Sequence, residues 1–450
     1  MTSGPPRGCV VDGRQTPAGF PCRRVPRRRM GYRTRRRSGG NLASRGRPPV
    51  CGAASLLAFF SGGLCGVHTP EWETAMTGRE RVLAVLRREK PDRVPFCPNI
   101  GQWFDYHKAR ASLPDELEGC QDELDAMIRI GCDIFSRRIC SPVTSARSGY
   151  EVHSEALGGR WRKTTYATPV GSVSDRTRYE AASHTTYKHQ HFLKGFPDDL
   201  RVLRYVVEHT DHEFDVASYL RAEERLGDHG VIMVPFFQSP IKLLHNWAGV
   251  ETATYLLTDR ARECEDLFAV FTEKALAVAR QAAESPTLAF CTMDNLDSLS
   301  MSPTFVKQYC VPFYRALSDL FHRHGKLLFS HACGQLRDLG ELVDEAGLDG
   351  LEAISHPPIG DLPLAEARGI HDGFLVNGGM SAHETEITGA GSRERIFAYV
   401  GDLFRSMRPL DRFLFSNACN TSIRSPWENL LHFRDACHEH GRLGDDPAHA

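Results

Sequence analysis

From Met76 onward, apolar residues recur in short β-rich runs, each followed by a longer stretch with helical spacing. Eight such runs stand out, at residues 94–98, 132–136, 231–237, 288–293, 326–330, 350–354, 374–377 and 412–416. Met76-Thr77-Gly78-Arg79-Glu80-Arg81 opens an amphipathic helix ahead of the first run. Two later helices carry start signals: Ser302-Pro303 before Phe305, and Ser425-Pro426-Trp427-Glu428, which reads as a capping box with Pro at the first helical position. Strands alternating with helices predict a parallel sheet covered by helices, and eight such units predict a (β/α)8 TIM barrel. Residues 146–190 break the rhythm, because Gly158-Gly159-Arg160-Trp161 lies between alternating segments. This predicts a β-hairpin inserted after the second strand, placed to lid or wall a site. A doubly wound open sheet is the competing architecture, but no Gly-rich phosphate loop follows any run.

Residues 1–75 lack that pattern. They are rich in Arg, Gly and Pro without amphipathic period, which predicts a disordered extension ahead of a folded body at 76–450. The apolar stretch at 53–60 imitates a signal peptide, but it lies too far from Met1. Met76 is therefore read as the true start and the extension as a mis-assigned one. Charge separates the two parts as well. The extension holds thirteen Arg, no Lys and three acidic residues, about +10, so the formal net charge of −1 conceals a body near −11. An acidic body argues against nucleic acid as a partner of the folded domain, since phosphate contacts need clustered Lys and Arg. No run approaches the ~20 apolar residues of a membrane span, so no membrane partner is expected. Fourteen Cys, many in apolar surroundings such as Cys291, Cys310 and Cys437, suit thiols in a reducing compartment and a cytoplasmic protein.

The chemistry of a TIM barrel gathers where strands end and βα loops begin. The fifth run ends in Phe329-Ser330-His331-Ala332-Cys333-Gly334 and the eighth in Phe415-Ser416-Asn417-Ala418-Cys419-Asn420. His331 and Cys333 are two apart, so both side chains can point toward the barrel axis. A lone His-x-Cys pair is more often a packed imidazole and a buried thiol; Cys419 at another strand end adds a third soft ligand on the same rim. One imidazole and two thiolates are the ligands zinc prefers, and three protein ligands leave the fourth position open, as catalytic zinc requires. Asp294 and Asn295 follow the fourth run and face the site, Asp294 as a proton relay and Asn295 as a substrate contact; capping of the next helix by an Asp is the alternative. Gln238 after the third run and Asn417 at the eighth strand end are further candidate substrate contacts. His322 and His324, on a helix end, are read as solvated dipole partners.

Several of these stretches resemble one family. Thr77-Gly78-Arg79-Glu80-Arg81 with Pro91-Asp92-Arg93-Val94-Pro95, Thr168-Pro169-Val170-Gly171, Ser302-Pro303-Thr304-Phe305, His331-Ala332-Cys333-Gly334, Gly347-Leu348-Asp349-Gly350-Leu351-Glu352 and Gly360-Asp361 are similar to the uroporphyrinogen decarboxylase superfamily, from Met76 to about Gly441. Within it, the residues look like the zinc-dependent, corrinoid-linked methyltransferases, such as methylcobamide:coenzyme M methyltransferase. That resemblance implies His331, Cys333 and Cys419 as zinc ligands, with Glu352 as a fourth ligand that substrate displaces. It implies transfer of a methyl group between a corrinoid and a small thiol or methoxylated substrate. The chain has no Asp-x-His-x-x-Gly segment to supply a His to cobalt, so a separate corrinoid protein is the implied partner. Decarboxylation is the first alternative, against which Cys97-Pro98-Asn99-Ile100-Gly101-Gln102-Trp103 lacks the Arg pair the decarboxylases place there. A non-catalytic barrel that only binds a corrinoid protein is the second.

Overall fold

The computed structural model describes residues 76–194 and 197–443; the expectations for residues 1–75 lie outside the described residues. Seven strands, β1 (Ile134–Ser136), β2 (Gly230–Phe236), β3 (Ala289–Thr292), β4 (Leu327–His331), β5 (Gly350–Ile354), β6 (Leu375–Met380) and β7 (Phe413–Asn417), pair in chain order in one parallel sheet. Every residue in them is buried, as befits short apolar runs covered on both faces. Alternate residues split between two cores. Phe135, Val231, Met233, Cys291, Leu327, Phe329, Leu375 and Leu414 form an inner cluster with Val82, Val85 and Leu86 of the helix Gly78–Leu86, whereas Phe236, Phe290, Leu328, Leu351, Phe413 and Phe415 join the larger layer under the helices.

The first run, residues 94–98, forms no regular strand. Phe96 makes a single parallel bridge to Phe415, with Cys97 N donating to Phe415 O at 2.8 Å and Phe415 N to Pro95 O at 3.0 Å. On its other side Asp133 N donates to Phe96 O at 2.8 Å, so the segment links β7 to the start of β1. Pro95 and Pro98 remove two donors, which is why the ladder stops at one bridge. Ion pairs centred on the buried Arg81 and Asp133 hold this end together. Asp133 takes Arg81 and Arg93, Arg81 also takes Asp92, and the helix that carries Arg81 starts with a complete capping box between Thr77 and Glu80.

The insertion after the β1 segment is larger than a hairpin. It is a four-stranded antiparallel meander, Glu151–Gly158, Trp161–Thr168, Gly171–Glu180 and Thr185–Gln190, beside a two-stranded pairing of Val143–Arg147 with Thr210–Phe214. Its first turn is the one marked by glycine: Gly158 pairs with Trp161 around Gly159 (φ 53°) and Arg160 (φ 66°), the left-handed pair a tight hairpin needs. The remaining strands escape the pattern because most of their residues are only half-buried. Tyr166, Phe192 and Trp247 pack with ring centroids 4.8–5.0 Å apart and seat the meander on the helix Pro240–Ala248. The expected capping box at Ser425 does not form. The helix Trp427–His440 is capped by Pro426 in extended conformation, one residue later, and the Ser425 hydroxyl is buried without a partner among the described residues.

Candidate metal centre

Leu327, Phe329 and His331 share the inner face of β4, and Cys333 continues that alternation beyond the strand end. The loop it enters is laced to the one after β3: Leu296 N donates to His331 O at 3.0 Å and Ser298 N to Gln335 O at 2.9 Å. Asp297 stabilises the junction by accepting from Gln335 N at 3.0 Å and Leu299 N at 3.1 Å. A side chain at Gly334 would place its Cβ 2.3 Å from that of Asp297, so the glycine is required by close approach. From the far side of the sheet, Cys419 follows β7. Its carbonyl accepts from Asn99 Nδ2 at 2.9 Å and its sulfur from Asn420 Nδ2 at 3.5 Å.

The ligand atoms of His331, Cys333 and Cys419 lie within 4.8 Å of one another, in the arrangement expected of a shared ion. Zinc bonds of about 2.0–2.3 Å need only a small contraction of this set, and the soft donors match zinc's preference. His331 and Cys333 are buried, 2% and 8% exposed, and Cys419 is half-buried. Hydrogen bonding from Cys333 leads in holding the Cys419 thiol well below its usual range; burial opposes it, and His331 and Arg137 assist. That same hydrogen bond, with burial, pushes Cys333 up. The two thiols are thus pushed in opposite directions, Cys419 toward the thiolate and Cys333 away from it.

Glu352 stands outside the ligand group. β4 and β5 pair His331 directly opposite Glu352, and His331 Nδ1 donates to Glu352 Oε2. Arg137 Nε faces the same oxygen at 3.3 Å. Burial pushes the Glu352 carboxyl up, but the charges of Arg137 and His331 outweigh it and pull it down to about 2. Burial lowers the His331 pKa, and the charge of Glu352 reverses this, leaving it raised. A β-bulge follows at Ala353, whose φ of 69° and bond from N to Asn377 Oδ1 at 3.3 Å fix the aim of Glu352.

Asp294 is fully buried; its Oδ1 accepts from Ser239 N at 2.6 Å, and its Oδ2 has no hydrogen bond among the described residues. Lys242 sits within electrostatic reach of both Asp294 and Cys333, and burial lowers its ammonium pKa against the opposing influence of those two groups. Asn295 is half-buried with φ of 51°. Gln238 Oε1 is taken by Asn246 Nδ2 at 2.7 Å. Asn417 shares the outward face of Phe413 and Phe415; its Oδ1 accepts from Asn99 N at 2.7 Å and its Nδ2 donates to Thr421 at 3.1 Å, so its polar atoms hold the loops. His322 and His324 hydrogen-bond to Asp349 and Glu284, away from the metal group. Three residues escaped the sequence reading: Arg137, Lys242 and Ser355, whose hydroxyl lies 3.1 Å from Cys333 O and 2.9 Å from Ala418 O. Arg137 directly follows a strand run, a position that marks it as a candidate; Ser355 also follows one, but its bonds to two other loops leave no mark in the sequence, and nothing in the pattern marks Lys242.

A parallel α/β sheet with its polar groups at the strand ends is the class of protein defined by this fold. The sequence profile of the uroporphyrinogen decarboxylase (URO-D) family matches residues 193–440, and the chain belongs to that family. Among solved structures, a methyltransferase from Methanosarcina mazei superposes with a TM-score of 0.52 at 14% identity, over 81% of this chain and 99% of that one, a likeness of fold. No curated protein matches the chain. No helix among the described residues is long and apolar enough to cross a membrane.

Proposed function

We propose that the chain is a zinc-dependent methyltransferase that moves a methyl group between a corrinoid on a partner protein and a small thiol or methoxylated substrate. The carrying observation is the convergence of one imidazole and two thiol groups within 4.8 Å at the ends of β4 and β7. In this reading residues 94–98 close the sheet as the eighth stave of a (β/α)8 barrel. Bound zinc would supply the Lewis acidity that keeps a substrate thiol deprotonated near neutral pH or polarises a methoxy oxygen.

The chain's own residues do the rest. His331, Cys333 and Cys419 would hold the metal, with hydrogen bonding from Cys333 lowering the Cys419 thiol pKa. Asp294 presents a buried oxygen that takes or returns a proton at the substrate, and Asn295 and Gln238 contact the substrate from the neighbouring loops. Asn417 serves the substrate indirectly, by holding the loop that carries Cys419. The ten described cysteines are all free thiols, which supports a reducing, cytoplasmic setting.

The test is direct. Purified protein should hold one zinc and transfer methyl from methylcobalamin to at least one member of a thiol panel. Cys419→Ser should keep the fold and lose both. Wild-type protein without bound zinc at neutral pH overturns the reading.

A further inference from the structure

The aim of a metal-bound imidazole is set by the partner of its other nitrogen. Here that nitrogen is committed. His331 Nδ1 donates to Glu352 Oε2, which leaves Nε2 for the metal. The same oxygen takes Arg137 Nε at 3.3 Å, and the three side chains are 2%, 6% and 16% exposed. The chain of contacts is built into the sheet, since β4 and β5 place His331 opposite Glu352 and the bulge at Ala353 holds the carboxylate in place. Moving Glu352 Oε2 onto the metal would take the acceptor from a buried guanidinium and an imidazole N–H, an outcome that low-dielectric interiors oppose.

We propose that Glu352 is the positioning carboxylate of an Arg137–Glu352–His331 chain and not itself a metal ligand. The fourth metal position is then open to water and afterwards to substrate, with no protein ligand to displace. This departs from the displaceable fourth ligand that the family resemblance implies for Glu352, and it rests on the zinc reading above.

The test uses Co(II)-loaded full-length protein, whose absorption reports the ligand set. Wild type, Glu352→Gln and Glu352→Ala should share one Co(II) ligand-field pattern, with metal affinity about 10- to 100-fold weaker in Glu352→Ala. Titration with 2-mercaptoethanol should half-saturate the charge-transfer band at the same or a higher concentration in Glu352→Gln than in wild type. A changed ligand-field pattern in thiol-free Glu352→Gln overturns the proposal, as does a tenfold gain in thiol affinity from losing a competitor. Arg137→Gln provides the same readouts if the Glu352 variants misfold: an unchanged pattern with weaker metal binding is expected, and full wild-type affinity overturns the chain. Failure of wild type to bind Co(II) or Zn(II) at all overturns the underlying zinc reading itself, and this proposal with it.

Discussion

Ser355 is one buried hydroxyl within reach of the carbonyls of Cys333 and Ala418, and so it ties together the two loops that carry the thiols. Groups that orient metal ligands in this way are worth about 10- to 100-fold in affinity. Ser355→Ala should therefore weaken zinc binding by about tenfold in competition with a chromophoric chelator, while the protein stays folded. Asp294 poses a different question at the same scale. One of its oxygens serves the Ser239 amide, and the other has no hydrogen-bond partner among the described residues. Asp294→Asn keeps an acceptor for that amide and removes the base, so methyl transfer should fall by about 10²- to 10⁴-fold with zinc content unchanged. Retention of activity to within about twofold would leave Asp294 as a loop cap. The His-x-Cys pair was legible in the sequence because a strand repeats every two residues. Ser355 was not, because its role consists of hydrogen bonds to backbone carbonyls on two other loops, and no spacing encodes those.

The loops at the strand ends are held by close packing that a single methyl group can break. Gly334→Ala pushes a Cβ into Asp297, and overpacking of this kind costs about 1–3 kcal/mol. The urea midpoint should drop accordingly, with partial recovery when Asp297→Gly removes the clashing atom. At the opposite end of the sheet, Asp349 accepts from Leu328 N and His322 Nε2 at 2.9 and 2.8 Å. Hydrogen bonding to Asp349 raises the His322 pKa against burial, with the Asp349 charge assisting. A raised folded-state pKa gives stability that is present below the unfolded value of about 6.5 and is lost as pH rises through the folded one. Wild type should thus lose stability from pH 6 toward pH 8 by no more than about 1 kcal/mol, since His322 is 41% exposed, and His322→Gln should flatten that slope. Element by element, the buried strands were legible because they are short and apolar throughout. Residues 94–98 were legible as a run yet lack a regular ladder because Pro95 and Pro98 cannot donate, and the meander showed only its glycine turn.

Over the whole molecule, charge is unevenly placed. Residues 147–194 hold eight Lys and Arg against four Asp and Glu, whereas the body from 76 to 450 carries about −11. Alternation along the meander sends Tyr166, Val173 and Asp175 inward and leaves Arg176 and Arg178 exposed on the outer face with no ion pair among the described residues. Arg178 lies over the Trp161 ring at 5.8 Å and Arg160 over Tyr179 at 5.9 Å, so these guanidiniums rest on aromatic faces and keep their edges free for acidic groups. The meander leaves the sheet after β1, on the side where strand ends bear the metal group. A carrier protein delivering its corrinoid there would pass this basic face, and an acidic carrier surface would be steered by it. Transfer from a protein-bound corrinoid should accordingly slow as salt rises, because the screening length shrinks from about 10 Å at 0.1 M to about 3 Å at 1 M. Arg176→Glu with Arg178→Glu should lower kcat/KM for the carrier by about tenfold at low salt and remove most of that salt dependence. Free methylcobalamin has no such surface, so its turnover should stay within about twofold under both changes. Equal losses with free and carried corrinoid would show that the meander acts on the centre itself and not on the approach to it.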